Sequence, residues 1–308
     1  MSRIASEALK SRVMSAQDAA KLIKNNMTVG MSGFTGSGYP KAVPLALADH
    51  ITEEQKAWRD FRINVLTGAS TGPELDGALA KVDGIQMRVP FNTDATAREK
   101  INRGQMDYFD MHLSQVAPAT WQGVFGDVDV AVVELTAIRN DGSLVPSSSI
   151  GNNKTWLDRA KKVILEVNSW QSLDLEGVHD IYYGTALPPH RVPIPIVNAS
   201  DRIGQTTLRC DADKIVAIVE TDMPDRNAPF SPPDETAFSI AQHLIEFFHH
   251  EVKMGRLPEN LLPIQSGVGN VANAVLNGLV DSPFQNLTSY TEVIQDGMLD
   301  LIESGKLL

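Results

Sequence analysis

The amino-acid sequence predicts an α/β protein in which helices flank a mostly parallel sheet. The clearest strand is Val128–Ile138, VDVAVVELTAI, a near-continuous apolar run of the kind that is buried on both faces in a parallel sheet. Along the rest of the chain, short apolar runs alternate with segments of helical spacing, which indicates βαβ units. With 308 residues, the chain is long enough to bury a full core in one large domain or in two smaller ones.

The predicted elements follow one another in regular order. A first helix begins at Ser15, where Asp18 completes a capping pattern. Two further helices begin at Pro40 and at Asp94. The remaining predicted helices span residues 74–82, 155–161 and 236–254. The predicted strands are 27–31, 63–67, 85–89, 128–138, 163–167 and 215–219.

A Pro-rich segment, APFSPPDE, marks the predicted domain boundary. It separates the last predicted strand from the long helix over 236–254, whose apolar residues recur at helical spacing. We therefore divide the chain near residue 230, into an α/β domain over 1–230 and a second segment over 231–308.

Charge and composition argue against several classes of function. Lys and Arg number 27 against 38 Asp and Glu, so the net charge of −11 argues against a nucleic-acid partner. The single cysteine, Cys210, can build neither a disulfide framework nor a cysteine-ligated zinc site, and the histidines lack metal-binding spacing, so we expect no metal. Since neither a secretory signal nor an apolar run of membrane-spanning length is found, we expect a cytoplasmic protein without a membrane partner.

Three glycine-containing loops are candidates for a ligand cleft. They are SGFTGSGYPK at 32–41, TGAST at 67–71 and QSGVGNV at 265–271, and each follows or ends an apolar run. In open α/β sheets such loops lie at the carboxyl ends of the strands, where ligands bind. Their spacing matches neither a dinucleotide fingerprint nor a P-loop. Each loop alone reads as a plain turn, whereas three together favour a cleft.

Two glutamates and one arginine are candidates for chemistry. Glu292 lies in a strand-like run, SYTEVIQ, and Glu134 lies within the Val128–Ile138 strand, so burial of either charge would be costly unless it is paired or used. The pattern alone favours a solvent-facing Glu292 and leaves Glu134 as its strongest competitor. Arg226 in DRNAPF has the fork geometry that holds a carboxylate, although the pattern alone favours an exposed surface residue.

Five segments together resemble the acetyl-CoA hydrolase/CoA-transferase family. The resemblance runs from about Ser11 to the end of the chain, and its last two motifs are the most specific. The segments are SGFTGSGYPKAVP, LTGASTGPELDGALA, PFNTDATAREKIN, LPIQSGVGNVANAVLNGL and YTEVIQDGMLDLIESGK.

The resemblance implies a role for each matching residue. Glu292 would attack an acyl-CoA thioester and become a glutamyl-CoA thioester through an acyl anhydride, which leaves Glu134 structural. The N–H of Val268 would serve an oxyanion hole. A carboxylate pocket would be lined by Ser70, Thr93 and Arg226. The loop that contacts CoA would consist of Gly267, Val268, Gly269, Asn270 and Val271.

The implied activity is transfer of CoA between a short acyl-CoA, such as succinyl-CoA, and a small carboxylate, such as acetate. Coenzyme A is then a substrate, and we expect no cofactor. Hydrolysis of acetyl-CoA and non-catalytic binding of CoA or a carboxylate remain open alternatives. The family also has a second α/β half after the glutamate motif, with a second oxyanion donor. Because this sequence lacks that half, we expect low activity from the chain alone, and a homodimer or pairing with a carboxyl-terminal half.

Overall fold

The computed structural model describes residues 2–184, 186–198, 200–227 and 233–308. Backbone contacts divide the chain into two compact units. The first consists of Met1–Ile194 and Ile203–Asn227, and the second of Pro195–Arg202 and Ala228–Leu308. The predicted division into 1–230 and 231–308 stays a prediction.

Among the described residues of the first unit, eight strands form one sheet. The strands are β1 Thr28–Met31, β2 Ile63–Leu66, β3 Ile85–Val89, β4 Asp107–Tyr108, β5 Val128–Ile138, β6 Leu144–Pro146, β7 Ala160–Asn168 and β8 Ile215–Thr221. Their order in the sheet is β4-β3-β2-β1-β5-β7-β8, with β6 paired to β5. All neighbouring strands in this sheet run parallel except β6, which is antiparallel to β5. The predicted mostly parallel sheet is therefore confirmed.

Helices pack against this sheet. The helix α3, Ala42–Lys56, covers one face. Its start is fixed by Glu166 on β7, whose carboxylate accepts the backbone N–H groups of Lys41, Ala42 and Val43 at 2.8, 3.0 and 2.6 Å. A π-helical turn, Pro73–Gly77, leads into α4, Ala78–Lys81. The helices of the first unit are α1 Glu7–Lys10, α2 Ala16–Ala20, α3 Ala42–Lys56, α4 Ala78–Lys81, α5 Ala95–Asn102, α6 Leu113–Trp121 and α7 Asn153–Arg159.

The strand β5 lies at the centre of the core and is buried on both faces. Val130 and Val132 belong to the apolar cluster on one face of the sheet. Their neighbours Ala131 and Val133 belong to the cluster on the other face. Successive side chains point to opposite faces of a strand, so a continuous apolar run is needed where both faces are covered.

Several predicted element limits differ from the structure. The predicted helix over 155–161 ends at Arg159, and Lys161 belongs to β7. The helix predicted to begin at Pro40 begins at Ala42, where the Glu166 cap lies. The short strand β4 and the helix α6, which contains Pro118, were not predicted because neither has a clear periodic pattern.

The second unit contains three longer helices, α8 Glu235–Lys253, α9 Asn270–Asp281 and α10 Asp296–Glu303. The small residues Ala237 and Ala241 on α8 pack against Ala274 on α9, which lets these helices approach closely. In the ranges that the structure describes, no helix has the length and apolar character that crossing a membrane requires. The larger apolar cluster of this unit is formed by Leu261, Leu276, Leu279, Phe284, Leu287, Met298 and Leu301.

Candidate active-site residues

In the first unit, the glycine loop after β1, residues 32–41, contacts the backbone of Arg226. The N–H of Arg226 donates to the carbonyl oxygen of Gly36 at 2.7 Å. A Cβ atom on Gly36 would lie 2.1 Å from the carbonyl oxygen of Arg226, so only glycine permits this approach. The loop thus packs against the segment that contains Arg226, which is almost two hundred residues away in sequence.

The hydroxyl groups of Ser70 and Thr93 lie 2.5 Å apart. Ser70 follows β2 and Thr93 follows β3, and these strands are neighbours in the sheet. The backbone N–H of Thr93 also donates to Oγ of Ser70 at 2.9 Å. Ser70 is buried and Thr93 is exposed, so this hydroxyl pair reaches the surface at the carboxyl ends of two parallel strands.

A buried ion pair holds the loop that carries Ser70. Arg88 on β3 donates from Nε to Oδ1 of Asp76 at 2.7 Å and from Nη2 to Oδ2 at 2.9 Å. Thr71 donates to Oδ2 of Asp76 through its N–H at 3.1 Å and its hydroxyl at 2.6 Å. Burial alone would raise the pKa of Asp76, but the charge and hydrogen bonds of Arg88 outweigh it and hold that pKa below its usual value. The loop is therefore fixed to the sheet by a charged carboxylate.

The side chain of Arg226 pairs with Glu74. Nε of Arg226 donates to Oε1 of Glu74 at 2.7 Å, and the Tyr39 hydroxyl donates to Oε2 at 2.5 Å. Burial favours the protonated carboxyl, yet these two hydrogen bonds outweigh it and lower the pKa of Glu74. A Cβ atom on Gly72 would lie 2.1 Å from the Tyr39 hydroxyl, so this contact requires glycine there.

The guanidinium of Arg226 keeps a free edge. Its side chain is 54% exposed, whereas that of Glu74 is 9% exposed. Within the part of the chain that the structure describes, no acceptor contacts the two terminal nitrogens of Arg226. Those nitrogens form the parallel donor pair that binds a carboxylate bidentately. Ser70 and Arg226 are not hydrogen-bonded to each other. Ser70 lies in the loop over 70–74, and Arg226 contacts the same loop through Glu74.

Glu134 is fully buried and its carboxylate is saturated with donors. It accepts hydrogen bonds from Lys41 Nζ at 2.6 Å, from Asn168 Nδ2 at 3.0 Å and from Gln171 Nε2 at 2.9 Å. Burial raises the pKa of Glu134 to about 7, against the opposing pull of Lys41. The structural role expected for Glu134 stays a prediction.

In the second unit, the glycine loop over 267–271 leads into α9, with Gly269 as the N-cap at a φ of 143°. The Val268 side chain is 62% exposed. Among the described residues, no acceptor contacts the N–H of Val268. A Cβ atom on Gly267 would meet nothing within 4 Å. The loop therefore presents unpaired backbone donors to the surface of this unit.

Glu292 is exposed, and the expectation that it lies in a strand is wrong. The residues after the isolated bridge between Ser289 and Ile264 form an irregular segment without a partner strand. Likewise, the loop over 265–271 follows this isolated bridge, so the expectation that it follows a strand of a parallel sheet is wrong, whereas the other two glycine loops do follow β1 and β2.

Side-chain hydrogen bonds tie the Glu292 segment to the glycine loop. Thr291, next to Glu292, accepts the Ser266 N–H at 3.3 Å and donates to the Ser266 carbonyl at 3.1 Å. Gln295 donates to the Gly267 carbonyl oxygen at 3.0 Å. An exposed carboxylate and a loop with an unpaired N–H are thus held together in this unit.

Sequence reasoning missed several residues that shape these groups. Glu74 and Asp76 were read only as part of a helix, because acidic residues are ordinary in a first turn. The glycine at position 72 was the available signal, since it marks a close approach of another group. The missed residues are Tyr39, Glu74, Asp76, Arg88, Asp225 and Gln295.

Comparison with known proteins assigns the chain to a family. A model described as the acetyl-CoA hydrolase/transferase N-terminal domain matches residues 3–220. The chain belongs to the acetyl-CoA hydrolase/transferase family. It is 48% identical over 304 residues to succinyl-CoA:acetate CoA-transferase from Clostridium kluyveri, covering 99% of this chain and 56% of that protein.

Other members of the acetyl-CoA hydrolase/transferase family are nearly as similar. An acetyl-CoA hydrolase from Neurospora crassa is 44% identical over 321 residues, covering 99% of this chain and 61% of that protein. A propanoyl-CoA:succinate CoA transferase from Escherichia coli is 40% identical over 295 residues, covering 96% of this chain and 60% of that protein. The chain thus spans between 56% and 61% of the length of these three relatives.

Solved structures show the same fold at low sequence identity. RipA from Yersinia pestis has a TM-score of 0.69 and 17% identity, covering 100% of this chain and 61% of that chain. A 4-hydroxybutyrate CoA-transferase from Porphyromonas gingivalis has a TM-score of 0.60 and 19% identity, covering 98% of this chain and 59% of that chain. These likenesses confirm the α/β fold of this family member.

Proposed function

We propose that this chain carries the nucleophile and the carboxylate-binding residues of a CoA-transferase. The observation that carries the proposal is the exposed Glu292, held by Thr291 and Gln295 beside a loop with an unpaired backbone donor. A carboxylate nucleophile divides one acyl transfer into two easier steps. The names of the relatives and the five resembling motifs support the same chemistry.

The proposed first half-reaction forms a glutamyl-CoA thioester. A carboxylate oxygen of Glu292 attacks the thioester carbonyl, and collapse of the tetrahedral intermediate breaks the C–S bond, which gives an acyl-glutamyl anhydride and CoA thiolate. The thiolate then attacks the glutamyl carbonyl of that anhydride. The anhydride C–O bond breaks, the original acyl group leaves as a free carboxylate, and CoA remains on Glu292.

The second half-reaction reverses these steps with another carboxylate. The acceptor attacks the glutamyl-CoA carbonyl and expels CoA thiolate, and the thiolate attacks the acceptor carbonyl of the new anhydride. A new acyl-CoA leaves, and the Glu292 carboxylate is regenerated. No proton is gained or lost over the cycle, because carboxylates and thiolates are the only groups exchanged.

The glycine loop fits the role of oxyanion and CoA contact. The tetrahedral intermediate carries a negative oxygen, which backbone N–H donors stabilise strongly when they are already in place. We assign this role to the N–H of Val268, which no described residue accepts. The flanking residues proposed to contact CoA are Gly267, Gly269, Asn270 and Val271.

The first unit supplies the groups that suit a small carboxylate. Arg226 offers two free guanidinium nitrogens, and the paired hydroxyls of Ser70 and Thr93 offer further donors. We propose succinyl-CoA as the acyl-CoA and acetate as the acceptor, with CoA as a substrate and no other cofactor. We also propose that the native enzyme is a homodimer or pairs with a carboxyl-terminal half.

Hydrolysis of acetyl-CoA is the second candidate function. Relatives named acetyl-CoA hydrolase reach 44% identity, close to the 48% of the transferase from Clostridium kluyveri. Both reactions would use the same nucleophile and the same oxyanion donor. They differ in the second half-reaction, in which either a carboxylate or water attacks the covalent intermediate on the enzyme.

One assay separates these activities. The intact protein is incubated with succinyl-CoA, with and without labelled acetate, while labelled acetyl-CoA and free thiol are both followed. Transfer predicts labelled acetyl-CoA with little free thiol, whereas hydrolysis predicts free thiol that does not depend on acetate. Formation of neither product, from succinyl-CoA or from acetyl-CoA, would contradict both functions.

A further inference from the structure

A buried ion cluster lies beneath the glycine loop of the first unit. Lys41 has no exposed side-chain surface, and its ammonium lies 2.6 Å from Oε2 of Glu134 and 2.9 Å from Oδ1 of Asp225. It also donates to the Tyr39 carbonyl at 2.9 Å. Glu134 belongs to the central strand β5, whereas Asp225 belongs to the segment after β8. Lys41 therefore ties that segment to the middle of the sheet.

Asp225 collects hydrogen bonds from three further groups. Its Oδ1 accepts the Gly38 N–H at 3.1 Å, and its Oδ2 accepts the Ser148 hydroxyl at 2.6 Å and Nε2 of Gln171 at 3.1 Å. The Asp225 side chain is 3% exposed. A carboxylate with donors on both oxygens and a buried cation beside it has a fixed position.

The next residue is Arg226, and the same loop fixes its backbone. Arg226 donates its N–H to Gly36, and the missing side chain of Gly36 leaves room for the Arg226 carbonyl. Asp225 holds one end of the glycine loop through Gly38, and Arg226 holds another part of it through Gly36. The position of the Arg226 backbone thus depends on the buried cluster.

We propose that Asp225 and Lys41 are positioning residues for Arg226: their buried ion pair fixes the Arg226 backbone on the glycine loop and thereby sets where its guanidinium meets a carboxylate substrate. The proposal rests on the carboxylate-binding role proposed above for Arg226. Among the described residues, the Arg226 side chain is held through Nε by Glu74, so the position of its terminal nitrogens depends on this contact and on the Arg226 backbone. Small misplacements of a substrate-positioning group cost as much as about 10²-fold in rate.

A purely structural role makes a different prediction. Buried ion pairs add little net stability compared with apolar side chains of the same size, so stability alone does not account for this cluster. A structural role would lower the apparent kcat of a variant in proportion to the amount of folded protein and would leave both KM values unchanged. A positioning role makes the KM for the carboxylate rise while the KM for the CoA donor stays unchanged.

The test uses two variants and one matched control. Asp225→Asn removes the charge with little change of shape. Gly36→Ala leaves the buried charges intact and pushes on the backbone at the link between Arg226 and Asn227. The control is Asp129→Asn, which alters a partly buried, ion-paired carboxylate of the same sheet that accepts the Thr28 N–H and contacts neither Lys41 nor Arg226. Acetyl-CoA is the donor, because its acyl group carries no free carboxylate, and succinate is the acceptor.

We expect both variants to raise the KM for succinate about tenfold or more, while the KM for acetyl-CoA changes less than about twofold. The control should show no such split. Equal rises of both KM values in Asp225→Asn, unchanged KM values in both variants, or a split of the same size in Asp129→Asn would overturn the proposal.

Hydrogen exchange at the Arg226 amide gives a readout that needs no activity. Loosening the Arg226 backbone should raise exchange of this amide about tenfold in Asp225→Asn and in Gly36→Ala, but not in Asp129→Asn. Unchanged exchange in both variants would overturn the proposal. Inactivity of the wild-type protein assayed together with a carboxyl-terminal half would contradict the proposed function instead, and the exchange result would still decide whether Asp225 fixes Arg226.

Discussion

Gln295 donates a hydrogen bond from its side-chain amide to the carbonyl oxygen of Gly267, at 3.0 Å. The same amide contacts Oγ of Ser266 at 2.8 Å. One buried side chain therefore holds the glycine loop against the segment that carries Glu292, although the two are 28 residues apart in sequence. A nucleophile and an oxyanion donor that are already in place avoid the cost of organising them during the reaction.

The first prediction concerns Gln295. The variant Gln295→Met keeps the volume of the side chain but removes both hydrogen bonds to the loop, so the Val268 N–H should lose its fixed distance from Glu292. We expect kcat to fall about 10- to 100-fold, while the protein stays folded by circular dichroism. The control is Gln285→Ala, at an exposed glutamine of the same unit. A kcat equal to that of the wild type in Gln295→Met would show that this contact plays no part in catalysis.

The second prediction concerns Arg226. Because its free guanidinium edge is proposed to bind a carboxylate, Arg226→Gln should raise the KM for the carboxylate acceptor about tenfold or more. The KM for acetyl-CoA should change little. A matched control is Arg59→Gln, since Arg59 is also a largely exposed arginine paired with a glutamate. Steady-state kinetics with each substrate varied separately measures the split, and equal losses for both substrates would contradict the assignment.

The hydroxyl pair gives a third prediction. Ser70→Ala removes one hydroxyl of the contact with Thr93 and also the acceptor for the Thr93 N–H. We expect the KM for the carboxylate to rise by about three- to tenfold, since one neutral hydrogen bond contributes about 0.5–1.5 kcal/mol. The KM for acetyl-CoA should remain close to the wild-type value. The control Ser169→Ala alters an exposed serine after β7.

The fourth prediction follows from the buried carboxyl of Glu134, whose pKa burial raises from 4.5 to about 7. The folded state thus binds this proton more tightly than the unfolded state. The resulting stabilisation is fully present below about pH 4.5 and is lost as the pH rises through about 7. Relative to Glu134→Gln, which cannot ionise, the free energy of unfolding of the wild type should fall by about 3 kcal/mol over this window.

Urea unfolding at several pH values measures this difference. The exposed Glu176, which pairs with Arg139, supplies the control Glu176→Gln. It should show no comparable change relative to the wild type over the same window. A constant difference between the wild type and Glu134→Gln at all pH values would contradict the raised pKa.

The sequence predicted the parts of the fold that depend on burial on two faces. The strand β5 was predicted over its full length. Its residues are apolar except for Asp129, Glu134 and Thr136, and a run this apolar is typical of a strand that is buried on both faces. The segment around Glu292 was misread as a strand for a physical reason. Exposure does alternate there, with Glu292 and Ile294 exposed and their neighbours more buried, but hydrogen bonds of Thr291 and Gln295 produce the pattern rather than a partner strand.

The candidate site was predicted in part. The contact between Ser70 and Thr93 can be predicted from the sequence, because both residues follow strands that are neighbours in a parallel sheet. The pairing of Glu74 with Tyr39 and Arg226 is not, because it joins three distant segments and depends on the space left by Gly36 and Gly72. Such contacts arise from the packing of loops, which local sequence patterns do not encode.

The identity of the nucleophile is the central claim, and trapping the intermediate tests it most directly. The intact protein is incubated with acetyl-CoA, reduced with borohydride and digested, and the peptide over 290–306 is analysed by mass spectrometry. A glutamyl-CoA thioester predicts that the Glu292 carboxyl becomes a primary alcohol, only when acetyl-CoA is present and not in Glu292→Gln. Reduction at another residue such as Glu134, or full turnover by Glu292→Ala, would contradict the account.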